Sequence, residues 1–505
     1  LTWRIDDPQG NESAKIKWEI VPYTRGKGLD LGCGPYKTFP HFIGVDNGNH
    51  AQFGWNIKPD VFVETCEKLD IFASQSMDFV FSSHLLEHIE DYAGALKEWY
   101  RVLKVGGYLI LYVPDEDEYP KVGEEGANPD HKWNVNYDRV VDAMPNGWDL
   151  VDLQKRNEEQ EYSLFFVFKK VNNGKHFSWK KPKPAKTCAV TRYGGIGDMI
   201  QTASIFPLLK AEGYHVTVFT VPMGEEIMRH DPNIDRFIVQ DKDQVANADL
   251  PKFWEYTKKK YTKWINFSES VEGTWLAMPG RTAAGWPHAV RHKHLNQNYL
   301  EFMHMLAEVP FKPNPKFYPT TEETKWAKSQ KKGFTILWAL AGSSVHKSWP
   351  HIDAIWARLM LRYPDCQIVT TGDATTQILE AGWENEPRIV KRAGKWSIRQ
   401  TLAFATVADL VVGPETGVLN AVSHLQMPKL LFLSHSSVEN LSRDWVNTTN
   451  LLGNASCYPC HMLHYGWDHC RKHEETATAM CQHDISPDTV WSAIEKVMQW
   501  QAAAA

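Results

Sequence analysis

The sequence predicts an α/β fold, several parallel sheets wound with helices, and three observations carry that expectation. Two glycine-rich turns, Leu29-Asp30-Leu31-Gly32-Cys33-Gly34 and Arg192-Tyr193-Gly194-Gly195-Ile196-Gly197-Asp198, each follow an apolar strand and open a helix. Glycine lets the backbone approach a ligand closely and a helix N-terminus leaves N–H groups unpaired, so each turn is an amide cradle for an anionic or adenosine-bearing ligand. At 505 residues the chain also exceeds what one core organises, which points to about three domains.

Composition narrows the class. The chain is 43% apolar and 23% charged, as folded domains are, and no apolar run approaches the roughly 18 residues that span a bilayer. With no signal-peptide pattern, the expected location is cytoplasmic. A net charge of -6 argues against a broad electrostatic footprint for nucleic acid. The 21 tryptophans read as core and anchoring residues first.

The boundaries follow from punctuation. Residues 171–186, VNNGKHFSWKKPKPAK, combine turn formers with a Lys/Pro run that cannot bury a face, and read as a linker. A charged helical stretch ends near Gly333, just before the apolar strand Phe334 to Leu340. The expected domains are therefore 1–170, 187–325 and 326–505.

In the first domain, Asp30 stands on a strand with Gly32 and Gly34 beyond it, and the next strand, Phe42 to Val45, ends at Asp46. A carboxylate at that tip can accept both ribose hydroxyls of an adenosine ligand. Downstream come Met77-Asp78-Phe79-Val80, Leu86-Glu87-His88 and Arg101-Val102-Leu103-Lys104-Val105-Gly106-Gly107. This set closely resembles the class I S-adenosylmethionine-dependent methyltransferases over about residues 30 to 170. The resemblance implies that Asp30, Gly32 and Gly34 hold the amino-acid part of S-adenosylmethionine and Asp46 its ribose. It places Cys66, in the divergent stretch Glu64-Thr65-Cys66, beside the adenine. Tyr36 replaces the third glycine of the loop. Ser82 and His88 fall near the methyl group, with His88 readable equally as a structural residue behind the sheet. Pro114-Asp115 and His131-Lys132-Trp133 form the expected acceptor rim.

After the linker, Thr187 to Thr191 reads as a strand and Ile196 to Lys210 as a helix. Asp198 sits in its first turn, where a carboxylate meets the macrodipole and capping alone explains it. Three further turns follow strands: Gly342-Ser343-Ser344-Val345-His346-Lys347-Ser348-Trp349-Pro350, Thr370-Thr371-Gly372-Asp373 and Gly413-Pro414-Glu415-Thr416-Gly417. Together these resemble the heptosyltransferases of glycosyltransferase family 9 from about 187 to 500. That family has the GT-B architecture, two facing Rossmann-like domains, and inverts the anomeric carbon. The resemblance implies a nucleotide-diphosphate sugar donor bound by Ser343, Ser344, Lys347, Gly372, Glu415, Thr416 and Gly417, and makes Asp198 the general base. Two departures stand out: Glu415 replaces the family's aspartate, and Asn420 its histidine. Asn266 to Gly273 and the histidine-rich stretch Trp286 to His294 are expected to shape the acceptor side.

Near the C-terminus, Cys457, Cys460, Cys470 and Cys481 give C-x2-C-x9-C-x10-C, a spacing that suits a structural zinc or iron site, with reduced thiols as the alternative. His461, His464, His473 and His483 are spare ligands.

The sequence thus reads as a bifunctional glycan-modifying enzyme that joins S-adenosylmethionine-dependent methylation to inverting sugar transfer onto a glycan or glycoconjugate. Two alternatives stay open. The acceptor could be a protein or a modified base in DNA, with the first domain merely docking, or the chain could be a non-catalytic assembly protein.

Overall fold

The computed structural model describes residues 11–48, 58–158, 160–172, 175–176, 185–272 and 277–504. Most of the linker and Gly273 lie outside them. The fold is α/β, with three sheets distributed over two compact units.

The first unit comprises residues 1–183 together with 240–260. Its sheet contains β1 (Gly28–Leu31), β2 (Ile43–Asp46), β3 (Val61–Phe62), β4 (Met77–Ser83), β5 (Leu103–Pro114), β6 (Trp148–Arg156), β7 (Ser163–Lys170) and β8 (Lys175–His176). They lie in the order β3-β2-β1-β4-β5-β7-β6-β8, parallel except for β7. β1, GLDL, is buried at every position because parallel strands are covered on both faces. The core gathers Leu29, Val80, Trp99, Leu109 and Phe166.

Residues 240–260 belong to this unit although they fall inside the predicted domain 187–325. Arg25 Nε donates to Asp241 Oδ1 at 3.0 Å and Gln244 Nε2 to the Val21 carbonyl at 2.7 Å. Glu19, buried, accepts from Tyr256 at 2.5 Å and pairs with Lys260 and Arg156. Burial pushes the Glu19 carboxyl up, but Lys260, Tyr256 and Arg156 together hold it below the ordinary range. A buried charge that keeps such partners is costly to strip of any one of them.

The second unit comprises 184–239 and 261–505 and carries two sheets. β9 (Thr187–Thr191), β10 (His215–Thr220), β11 (Arg236–Val239) and β12 (Lys263–Asn266) form a parallel sheet in the order β11-β10-β9-β12. β13 (Phe334–Ala339), β14 (Cys366–Thr371), β15 (Ile389–Val390), β16 (Leu410–Pro414), β17 (Lys429–Phe432) and β18 (Thr448–Leu451) form the other, in the order β15-β14-β13-β16-β17-β18. That is the doubly wound order, in which ligands collect where the winding reverses, beside the carboxyl ends of β13 and β16. One core runs between the sheets, from Val190 and Val218 to Leu337 and Leu419. A second holds Trp338, Trp349 and Trp356 on the other face of the larger sheet, consistent with tryptophan as core.

The predicted helix from Ile196 to Lys210 is broken. The chain makes a helix at Ile196–Thr202, a 3₁₀ turn at Ala203–Ile205 and a second helix at Phe206–Ala211. Pro207 has no N–H to donate and its ring crowds the preceding turn, so the segment restarts there. Among the described residues, no helix is long and apolar enough to cross a membrane.

Candidate functional site

After β1 the backbone turns through Gly32 (φ +67°) and Gly34 (φ +54°), a left-handed conformation that disfavours side chains. Gly34 N donates to Asp46 Oδ2 at 3.0 Å, and Gly48 N to Asp46 Oδ1 at 2.8 Å. The carboxylate at the tip of β2 therefore fixes the turn beside it. Asp30, beneath the turn, accepts from Thr38 N at 2.9 Å. Burial pushes its carboxyl up to about 7, offset only in part by that hydrogen bond.

A cavity of about 1140 Å³ opens over this turn. Asp30, Gly32, Gly34, Asp46 and Cys66 line it, as do Tyr36 and Glu64. Ser82 does not: it is buried within β4, and its hydroxyl has no hydrogen-bond partner among the described residues. Its neighbour Ser83 is on the wall instead, since successive strand side chains point to opposite faces. His88 lines the cavity, and so do His131 and Lys132 of the expected rim. Two further wall residues carry no role in the sequence expectation: Glu87, inside the motif Leu86-Glu87-His88, and His84 just before it. Glu87 is fully buried, with His84 Nδ1 3.4 Å and His131 Nε2 3.8 Å from its Oε1. Burial pushes this carboxyl up, but the facing histidines outweigh it and hold it low.

In the second unit the helix at Ile196–Thr202 begins at Gly195, whose N–H donates to Asp198 Oδ2 at 2.9 Å. Arg192, completely buried at the end of β9, holds Asp198 Oδ1 at 2.8 Å, and Tyr299 OH donates to the same oxygen at 3.5 Å. Asp198 is thus both a helix cap and an oriented, half-buried carboxylate. Facing it are the turns of the larger sheet. Lys347 is buried, and its Nζ donates to the Glu415 carbonyl at 2.9 Å. Burial pulls its pKa down, against the opposing charges of Glu415 and Asp198. The Glu415 carboxylate turns inward, accepting from Ser434 N at 2.6 Å and pairing with His435 at 2.5 Å. It braces the loop 434–436 rather than facing outward. Thr416 Oγ1 and Ser344 Oγ are buried hydroxyls without a hydrogen-bond partner among the described residues. Gly372 and Gly417 are close approaches: an added Cβ would lie 2.1 Å from Thr376 Oγ1 and 2.2 Å from Ile196 Cγ2 respectively. Asn420, at the departure from the heptosyltransferase pattern, accepts from Gln201 Nε2 at 3.0 Å and so joins the two sheets' helices.

Residues 29–111 match the family model described as a methyltransferase domain. No curated protein matches the chain significantly. Among solved structures, the chain is similar in fold to the ADP-heptose LPS heptosyltransferase II of E. coli, at 15% identity over 63% of this chain and 99% of that one, TM-score 0.44. It is likewise similar to a glycosyltransferase family 9 protein of Veillonella parvula, at 15% identity over 62% and 97%, TM-score 0.46. A putative S-adenosylmethionine-dependent methyltransferase of Listeria monocytogenes aligns at 14% identity over 32% of this chain and all of that one, TM-score 0.25.

The four C-terminal cysteines lie beyond that matched stretch, in the second unit. All are free thiols, and those of Cys460, Cys470 and Cys481 sit close enough to Cys457 to feel its charge. Burial, chiefly, pushes Cys470 up to about 11 and Cys460 up to about 12. Cys457 is exposed, Cys460 and Cys470 are half-buried and Cys481 is buried. Their segment also packs histidines: His461 meets His292 at 3.0 Å, and the rings of His464 and His346 lie 5.3 Å apart. Burial, reinforced by neighbouring histidines, pulls His461 down to about 3 and His464 to about 4.

Proposed function

We propose that the chain is a bifunctional glycan-modifying transferase that moves a sugar from a nucleotide-diphosphate donor to an acceptor hydroxyl with inversion, and methylates with S-adenosylmethionine. The observation that carries the sugar-transfer half is that an oriented carboxylate, Asp198, and a buried ammonium, Lys347, lie in the second unit near enough for the charge of one to bear on the other. The acceptor hydroxyl gives its proton to Asp198 as its oxygen attacks the anomeric carbon. The bond to the diphosphate breaks on the opposite side, and its electron pair leaves with the nucleotide. Lys347 and the N–H groups of Thr416 and Gly417 stabilise that developing charge without a metal. The inward Glu415 acts by holding the turn that presents them.

The residues of the first unit fit S-adenosylmethionine, which supplies an electrophilic methyl group when bound. The turn has two left-handed glycines, a Cβ at Gly34 would meet nothing within 4 Å, and Asp46 at the end of β2 lines the same cavity. In this reading Gly32 and Gly34 admit the ligand's amino-acid end and Asp46 orients it, which is most of what a methyl transfer needs. The clustered cysteines are our candidate for a structural zinc or iron site.

Product mass spectrometry with S-adenosylmethionine, a panel of nucleotide sugars and glycan acceptors tests both halves. Asp198→Asn keeps the cap and loses the base, and is expected to cut sugar transfer by about 100- to 10,000-fold while methylation persists. Asp46→Ala is expected to do the reverse. Sugar transfer at the parental rate by Asp198→Asn overturns the assignment of the base.

A further inference from the structure

Glu87 is the feature of the first unit that the methyl-transfer reading leaves unused. It is 0% exposed, and neither carboxylate oxygen has a hydrogen-bond partner among the described residues. A charge so placed is expensive unless a cation or a set of oriented rings faces it. One atom each of Glu87, His88 and His131 lies within 4.8 Å of the other two. All three line the cavity over the glycine turn.

The arrangement is built from two distant segments and held stiffly. Glu87 and His88 share the single 3₁₀ turn Leu86–His88. The segment bearing His131 is fastened to it: Lys132 N donates to the Glu87 carbonyl at 2.8 Å and Trp133 Nε1 to the Leu86 carbonyl at 3.0 Å. Trp133 in turn stacks on Tyr92, with ring centroids 3.9 Å apart. His84 faces the same carboxylate oxygen, its Nδ1 3.4 Å from Glu87 Oε1 and its Nε2 3.0 Å from Ser163 Oγ.

We propose that Glu87, His88 and His131 bind one divalent transition-metal ion, of the Mn²⁺, Fe²⁺ or Zn²⁺ class, on the wall of the methyltransferase cavity. Two imidazoles and a carboxylate leave coordination positions open, and such a set suits borderline divalent ions. The open positions face the space where an acceptor would lie, so an acceptor oxygen bound there would shed its proton more easily. That last role rests on the methyl-transfer reading; the site itself does not.

The test uses the full chain and Mn²⁺ titrated against it, followed by loss of the free-ion paramagnetic signal, with competition by Zn²⁺. Mn²⁺ favours oxygen and nitrogen over thiolate, so the cysteine segment does not contribute. We expect about one ion per chain, and affinity lowered about tenfold or more in Glu87→Gln and in His88→Gln. His88 is less buried than Glu87, so its variant reports even if Glu87→Gln fails to fold. Wild-type protein that leaves the signal undiminished at millimolar Mn²⁺ overturns the site, as does undiminished affinity in folded His88→Gln. S-adenosylmethionine binding is measured alongside. Metal bound without methyl transfer to any acceptor removes the methyl-transfer reading and keeps the site.

Discussion

At Gly34 an added Cβ would meet no atom within 4 Å, whereas at Gly417 it would fall 2.2 Å from Ile196 Cγ2 and at Gly197 3.0 Å from Asn420 Nδ2. The two glycine regions look alike in the sequence, since each is a short turn between an apolar strand and a helix. The first needs glycine for conformation, because φ is positive at Gly32 and Gly34, and at Gly34 the side chain's place is open. The second needs it for contact, because the helix starts at Ile196 and Gly417 press together and join the two sheets. The carboxylates differ in the same sense. Asp30 lies buried beneath the open turn with the Thr38 N–H as its hydrogen bond, while Asp198 is half exposed and held by Arg192. An open turn keeps room for a ligand, and a packed one sets the spacing of two sheets.

The largest effect expected from this contrast lies at Asp30. Its folded pKa, about 7, stands above the ordinary 3.8, so between those values the folded unit holds a proton that the unfolded chain has released. Stability from this group is therefore full below about pH 4 and falls as pH rises toward about 7, by at most about 1.4 kcal/mol per unit. Denaturant unfolding of the parent and of Asp30→Asn from about pH 5 to about pH 8 should show the parent losing stability relative to the variant. Parallel pH profiles would mean that Asp30 is ionised throughout and paired by something other than Thr38.

Gly417→Ala comes next. Overpacking of this kind costs roughly 1–3 kcal/mol, and the partner here is the branched carbon of Ile196. Adding Ile196→Ala removes the Cγ2 contact but leaves the Ile196 Cβ 2.7 Å from the added carbon, so it should restore part of the loss, a coupling that a double-mutant cycle reads directly. A single variant as stable as the parent would mean that the helix ends can part, and that the glycine is not the reason they meet.

The α/β class and the strand Thr187–Thr191 were legible because buried parallel strands write continuous apolar runs. Asp46 was legible for another reason, as a carboxylate at a strand tip one turn away from glycines. What escaped reading depended on distance or on parity. Nothing local to residues 240–260 marks them as partners of Glu19 and Val21, since their apolar face would suit either unit. Ser82 and Ser83 differ only in which face of β4 they take, and a shift of one residue exchanges them. Glu415 sits in the turn the motif identifies, yet its carboxylate answers to Ser434 and His435, a loop the motif does not include. Glu87 and His131 meet through a fastening by Lys132 and Trp133 that no spacing announces. Pro207 was the exception, a visible helix breaker whose consequence could have been drawn.

The smallest expected effect, and the one that best separates the two glycine regions, is at Gly34. Alanine there must hold φ near +54°, which costs roughly 1–2 kcal/mol, but it meets no neighbouring atom. The stability loss should therefore be modest and should not be relieved by trimming any nearby side chain, unlike that of Gly417→Ala. Ligand binding is the more sensitive readout, because the new methyl group would project into the cavity rather than into protein. Calorimetry should show S-adenosylmethionine binding weakened by more than the change in folding stability accounts for. Affinity that falls only in proportion to stability would mean that the open side of the turn faces solvent, and that the ligand is held from Asp46 and Cys66 instead.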